Sequence, residues 1–472
     1  MHRGQLGKAE KIFQDALVFY EQAQNVSGQG NTLQHLGELY MQKSILEEAE
    51  KCFKNALIFH EQAKDMLGQG NNLRSLGRLN LLRDQLEEAG KNFQNALKFH
   101  KQAQDVMGQA YDLQNLGGLF MLRNELDEAK KSFQDALILH KQVQDVLGQA
   151  NDLQELGRIY MHGGQLDEAE TNFQDALILH KQAKSILGQA NDLQQLGKLY
   201  MGRNLLEKAE SHFHVALKFH KQAQDMVGQG NDLQNIGRLY MHRHQLAEAE
   251  KYILDALSFH TQAQDMLGQA NDHLTLGQLY MRRDQLAEAE KSFQNALTIH
   301  KEAHHVLGQA KDLQELGELY MYKDHLDKAE KSFWGAFEFH GQAQDMSAQC
   351  NDLLNIGKLY LHKGQLVEAE QSFHHALTFY KETEDTIGQA NAFWNMGELY
   401  MHSNRLDEAD KGFHNALTLH KVAQNILGQA AVLQSIGRLY RDKDQEESAE
   451  KSFQDALAFH KEAQDMVASE IL

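Results

Sequence analysis

The sequence predicts an all-α solenoid of antiparallel helix pairs, and three observations carry that expectation. Glycine recurs at Gly37, Gly77, Gly117, Gly157, Gly197, Gly237, Gly277, Gly317, Gly357, Gly397 and Gly437, forty residues apart without insertion. The apolar residues around each glycine keep helical spacing. Proline is absent from all 472 residues, so no helix is forced to stop midway. A fixed period of this length marks a repeat architecture, in which each unit buries its apolar face only against its neighbours.

The first helix of a unit is seen in Asn151 to Met161, "NDLQELGRIYM". Leu153, Leu156 and Tyr160 fall on one stripe, and Gly157 shares it. A glycine inside a helix costs about 1 kcal/mol relative to alanine. Its return in every unit predicts a neighbouring helix too close for a side chain. The second helix carries Leu46, Ala49, Phe53, Ala56 and Leu57 in the first full unit. The slot of Phe53 is Phe in eleven of twelve copies, with Ile253 the exception. Between the two helices sit Ser44, Asp84, Asn124 and Gly164, types that tolerate the left-handed conformation ending a helix. Between units sit Asn25, Asp65, Asp105, Asp145, Asp225, Asp265 and Asp345, the expected N-caps. Residues 1–29 therefore read as the second helix of a truncated repeat plus its connection. Residues 30–472 read as eleven tandem 40-residue repeats forming one continuous solenoid. Met1 aligns with Met41 and Met161 at the end of a first helix. That alignment favours a fragment of a longer array, with additional N-terminal repeats or domains in the full-length protein.

Leu153, Leu156-Gly157, Tyr160, Ala169, Phe173 and Ala176 together resemble the tetratricopeptide repeat. The pattern runs through practically the whole chain, with lapses such as Asn80 for Tyr and His273 for Leu. The departure is the missing proline after the second helix and the longer unit. In that respect the chain is similar to the arrays of G-protein-regulating polarity adaptors and of STAND signalling NTPases. The resemblance implies a right-handed superhelix whose first helices line the concave surface.

Composition narrows the function classes. The formal net charge of −19 disfavours nucleic acid, whose binding relies on Lys and Arg displacing phosphate counterions. Cys52 and Cys350 are the only cysteines and lie about seven repeats apart, so a disulfide is not expected. The chain suits a reducing, cytoplasmic compartment. No apolar run reaches the ~20 residues of a membrane span, so no membrane partner is expected. No nucleophile with a base, carboxylate pair or GxxxxGK[ST] phosphate loop stands out. The sequence therefore predicts no enzyme, no cofactor and no metal.

Two ladders remain ambiguous. His60, His100, His140, His180, His220, His260, His300, His340, His420 and His460 share one slot with Tyr20 and Tyr380. The exchange with tyrosine favours a ring packed at the core edge, with pH sensing or metal binding as the alternative. Lys43, Arg83, Arg123, Arg243, Arg283, Lys323 and Lys363 recur near first-helix C-termini. They read as cations at the negative helix end, or as an anion-binding stripe.

The candidate binding residues lie on the first helix, off its packed stripe. One row is Asn31, Asn71, Asn151, Asn191, Asn231, Asn271, Asn351 and Asn391; another, three residues on, includes Gln154, Gln194 and Gln234. Amides offer donor and acceptor together, so such rows can pair with the main chain of an extended peptide. The next slot changes sign between units, with Glu38, Arg158, Lys198, Arg238 and Glu318, and would supply selectivity. Leu274, Leu354 and Trp394 interrupt the Gln row, and Trp394 is either a partner anchor or part of a rearranged core. The leading expectation is a non-catalytic scaffold binding extended peptide segments of a protein partner. The alternatives are the ligand-sensing, autoinhibitory region of a larger STAND-type NTPase, and a helical-repeat nucleic-acid binder.

Overall fold

The computed structural model describes residues 2–469, and side chains from residue 6 to residue 462. Met1, whose alignment suggested a truncated unit, lies outside the described residues. Among them there are 23 α-helices and no strand. Consecutive helices pair as hairpins, for example Val146–His162 with Leu166–Gln182, each 17 residues long. Contacts divide the chain into two compact units, Met1–Leu199 and Tyr200–Leu472. Both are built on the same hairpin. No helix among the described residues is long and apolar enough to cross a membrane.

The turns follow from local chemistry. Ser44, Asp84 and Asn124 adopt φ of 60°, 58° and 59°, and Gly164 one of 73°. Their left-handed geometry lets Gln165 N–H reach back to the Tyr160 carbonyl at 2.9 Å, closing the helix end. The turn between units uses the same device, with Gln104 and Gln144 at φ of 54° and 57°.

The expected caps divide into two sets. Asn25, Asp65 and Asp345 accept a hydrogen bond from the backbone N–H three residues on. Asp105, Asp145, Asp225 and Asp265 make no such bond. Their carboxylates turn instead toward the histidine of the preceding helix. Asp145 Oδ2 stands 3.8 Å from His140 Nε2, and Asp265 Oδ2 4.0 Å from His260 Nε2.

Within a hairpin, the recurring glycine is a seat for the recurring phenylalanine. A Cβ on Gly157 would stand 2.7 Å from Phe173 Cε1, inside any van der Waals contact. Phe173 has no solvent exposure, and Ala169 and Ala176 beside it have none either. A second glycine row does the same for the histidines. A Cβ on Gly148 would meet His140 Cδ2 at 2.5 Å. Small residues against flat rings give the close packing that a two-layer repeat needs.

Between hairpins, the basic ladder stands at first-helix C-caps, as the helix-end reading expects, and also makes contacts that reading did not include. These cations reach back to a glutamate on the second helix of the preceding repeat, and where the slot holds a tyrosine its hydroxyl joins them. In the second unit Tyr280 Oη donates to Glu250 Oε1 at 2.9 Å and Arg283 Nη1 to Glu250 Oε2 at 2.5 Å. Tyr320 and Lys323 hold Glu290 at 2.9 and 2.5 Å in the same way. In the first unit Tyr40 and Lys43 hold Glu10, and Arg83 holds Glu50. Where Gly90 replaces the glutamate, Arg123 bonds Glu87 instead at 2.9 Å.

Two outcomes are expected. Phe133→Ala removes a ring only 3 % exposed and lowers stability by about 3–5 kcal/mol in denaturant melts, through lost burial and a cavity. The bond from Lys323 holds the Glu290 carboxyl below its ordinary value. A depressed folded value gives stability that is present above the ordinary carboxyl value of about 4.5 and lost as pH falls through the lower folded value. The difference in melting temperature between the wild type and Glu290→Gln is therefore steady from pH 8 to about 5 and shrinks on further acidification.

Candidate interaction surface on the first helices

The Gln and Asn rows flank a buried polar cluster that repeats at the joints. Its centre is an aspartate missed in the sequence, at the position of Asp152 in the "NDL" segment 151–153. Asp112, Asp152, Asp192, Asp232, Asp272, Asp312 and Asp352 are all 0 % exposed. Each accepts from, or shares a proton with, the histidine twelve residues earlier, on the second helix of the preceding repeat. His140 Nδ1 lies 2.6 Å from Asp152 Oδ2, His180 Nδ1 2.5 Å from Asp192 Oδ2, and His300 Nδ1 2.6 Å from Asp312 Oδ2. The ladder histidines from His60 to His420 are buried and His460 is half-buried, each in a joint of its own. Among the described residues no group of three His, Cys, Asp or Glu side chains converges to hold a metal.

The second carboxylate oxygen accepts from the Gln row. Gln154 Nε2 donates to Asp192 Oδ1 at 2.5 Å, Gln234 to Asp272 at 2.7 Å, and Gln314 to Asp352 at 2.6 Å. Gln194 is buried. So Gln154 and Gln234 direct their N–H groups inward, to the next repeat. Arg74 replaces glutamine in one joint and its Nε bonds Asp112 at 2.6 Å.

The Asn row is the outward member of the cluster. Asn31, Asn151, Asn271 and Asn351 are exposed, and Asn71, Asn191, Asn231 and Asn391 are half-buried. Some carboxamides are anchored from behind. His180 Nε2 lies 3.2 Å from Asn151 Oδ1, and His100 Nε2 3.3 Å from Asn71 Oδ1. Tyr380 Oη donates to Asn351 Oδ1 at 2.7 Å.

The charged slot stands beside this row. Arg158 is exposed and bonds Glu155 at 3.0 Å, Lys198 is half-buried, and Arg238 Nη2 donates to Thr275 Oγ1 at 3.2 Å. In the second unit Glu318 and Lys358 reach solvent. Yet desolvation by the surrounding protein pushes the Glu318 carboxyl up and the Lys358 ammonium down. Groups that touch water while being desolvated stand in a recess. Leu274 and Leu354, in the Gln slot, are buried. Trp394 is half-buried against the core, and its Nε1 donates to Ser435 Oγ at 2.9 Å. Its indole therefore joins the packing of the next repeat rather than standing clear as an anchor.

Where the aspartate is absent, the slot changes character. His60 faces Asn72 and turns its Nδ1 to Asp65 at 2.9 Å. His420 faces Val432, has no partner on either ring nitrogen, and is pushed down by burial. At His260, burial lowers the ring, but the bond and charge of Asp272 outweigh it and hold the ring above its ordinary value. A raised folded value gives stability that is full below about pH 6.5 and lost as pH rises through it. The melting-temperature difference between the wild type and Asp272→Asn accordingly widens from pH 8 to pH 6; a constant difference would contradict the assignment.

Elsewhere the chemistry is quiet. Cys52 and Cys350 are buried free thiols, each pushed up to about 11 by burial, which keeps them protonated and unreactive at neutral pH.

Comparison with known proteins agrees with the repeat. Two tetratricopeptide-repeat family models match, at residues 388–462 and 274–304. No curated protein matches. Among solved structures, a Rap protein complexed with competence and sporulation factor is 15% identical with a TM-score of 0.51, covering 77% of this chain and 99% of its own. Aspartyl phosphate phosphatase F from Bacillus subtilis is 15% identical with a TM-score of 0.48, covering 76% of this chain and 94% of its own. A STAND protein with a tetratricopeptide repeat sensor from Pyrococcus horikoshii is 12% identical with a TM-score of 0.49, covering 78% of this chain and 51% of its own. At these identities the likeness concerns fold alone.

Proposed function

We propose that this tetratricopeptide-repeat chain is a non-catalytic scaffold that holds extended segments of a protein partner along its first-helix face. The supporting observation is the Asn row, in which the carboxamides of Asn71, Asn151 and Asn351 are oriented from behind by buried rings. A preoriented amide loses little freedom on binding, and a row of them pairs with a main chain whatever its side chains. In the first unit the row is Asn31, Asn71, Asn151 and Asn191, with Arg158 and Lys198 beside it. In the second it is Asn231, Asn271, Asn351 and Asn391, with Arg238. The half-buried Gln154 and the rim of Trp394 are secondary contributors, whereas Gln194 and Gln234 are buried. The Rap protein of similar fold was solved with a bound factor, which accords with a binding platform. The acidic balance of the chain favours protein over nucleic acid as the partner.

Panning the purified full chain against a displayed library of random linear peptides at physiological salt tests the reading. Enriched peptides are expected to bind the wild type, and the double variant Asn31→Ala, Asn151→Ala about tenfold more weakly with its melting curve unchanged. Failure to enrich any peptide, or equal binding to the variant, removes the proposal.

A further inference from the structure

The joint at His180 links the surface row to a buried proton, and it rests on the reading of that row as the binding face. His180 is 1% exposed and Asp192 is 0% exposed. The ring is held between two partners: Asp192 Oδ2 lies 2.5 Å from Nδ1, and Asn151 Oδ1 lies 3.2 Å from Nε2. Asp192 comes from the helix Ile186–Gly202 and is the charged group in contact with the ring. The helix Val146–His162 contributes amides to the cluster, Asn151 and Gln154. Gln154 donates to Asp192 Oδ1, so that oxygen stays an acceptor.

Hydrogen-bond complementarity then restricts Asn151. With one proton on the pair, Nδ1–H donates to the Asp192 carboxylate and Nε2 is a bare acceptor. Asn151 must turn its NH2 inward and its carbonyl outward. With a second proton, Nε2 carries a hydrogen whether the charge sits on the ring or the carboxyl has taken the proton. Asn151 must then turn its carbonyl inward and its NH2 outward, the arrangement seen here. We propose that one proton on the His180–Asp192 pair decides which end of the Asn151 carboxamide faces outward, so that pH selects a hydrogen-bond donor or an acceptor on the binding row.

The chain contains the locked form of the same device. At Tyr380 the slot holds a phenol that donates to Asn351 Oδ1 at 2.7 Å, and the aspartate is replaced by Ala392. Burial pushes that phenol up, so it remains a donor throughout the physiological range. Asn351 therefore presents its NH2 at every such pH, whereas the end that Asn151 presents follows the proton on Nε2.

The test uses the full chain labelled with 15N at His and Asn, without any guest, over pH 5 to 8. His180 Nε2 is expected to gain its proton on acidification, and the Asn151 side-chain amide resonances to move with the same midpoint. Those of Asn351 stay constant. In His180→Tyr/Asp192→Ala, which copies the Tyr380/Ala392 pair, the Asn151 resonances become independent of pH. The proposal is overturned if Nε2 already carries a proton at pH 8, if the ring does not titrate in this range, or if Asn151 stays constant while it does. The wild-type series alone decides these outcomes should the double variant misfold. Because no guest is present, failure removes the switch and leaves the scaffold reading to peptide panning.

Discussion

Everything in this molecule depends on an aromatic ring lying against a helix at a residue that has no side chain. The ring of Phe173 occupies the space a Cβ on Gly157 would need, and the same meeting recurs between Gly317 and Phe333 and between Gly397 and Phe413. That seat sets the distance between the two helices of a hairpin. The alanines on either side, Ala169 and Ala176, have no exposure, because the helices are then too close for anything larger. The helix-propensity cost of a glycine, about 1 kcal/mol, is small beside the burial of a whole phenyl ring.

Once the hairpin is set, the joints between hairpins divide into two chemistries. On one side a glutamate is gripped by a tyrosine hydroxyl and a cation at a partly exposed joint, as Glu290 is by Tyr320 and Lys323. On the other a carboxylate with no exposure is held by a histidine and an amide. A buried charge left without its partner is strongly destabilising. The chain obeys this rule within itself: Ala392 accompanies Tyr380, while aspartate accompanies His340 and His300. His60 and His420 lack the aspartate: His60 opposite Asn72 turns to Asp65, and at His420 opposite Val432 burial favours the uncharged ring. The polar joints also explain how the Asn row is held, since the ring that bonds the next repeat also touches the carboxamide at the surface.

The hairpins, their turns and the close approach of a helix at each glycine were legible in the sequence, because they are local and recur; that a Phe ring is what fills the space at the glycine was not. The left-handed turn residues Ser44 and Asn124 were readable for the same reason. The joints were not. Gln154 meets Asp192 across 38 residues, and no pattern within one helix reveals that separation. An aspartate beside Asn151 reads as one more polar residue on a helix surface. Its inward position was signalled only by the swaps to Ala392 and Val432, which a solvated slot would not need. The helix-end position of the basic ladder was readable, but its ion pairs were not, because Glu250 and Arg283 lie in different repeats. Trp394 was ambiguous for want of Ser435, its partner one repeat further on.

The seat of ring on glycine is tested most directly by a double-mutant cycle on Gly277 and Phe293, with Gly277→Ala and Phe293→Leu made singly and together. A Cβ at Gly277 collides with the Phe293 ring, so the alanine is damaging beside phenylalanine and tolerable beside the smaller leucine. The account predicts that the double variant is more stable than the sum of the single losses by at least about 1 kcal/mol. Strict additivity of the two losses would contradict it.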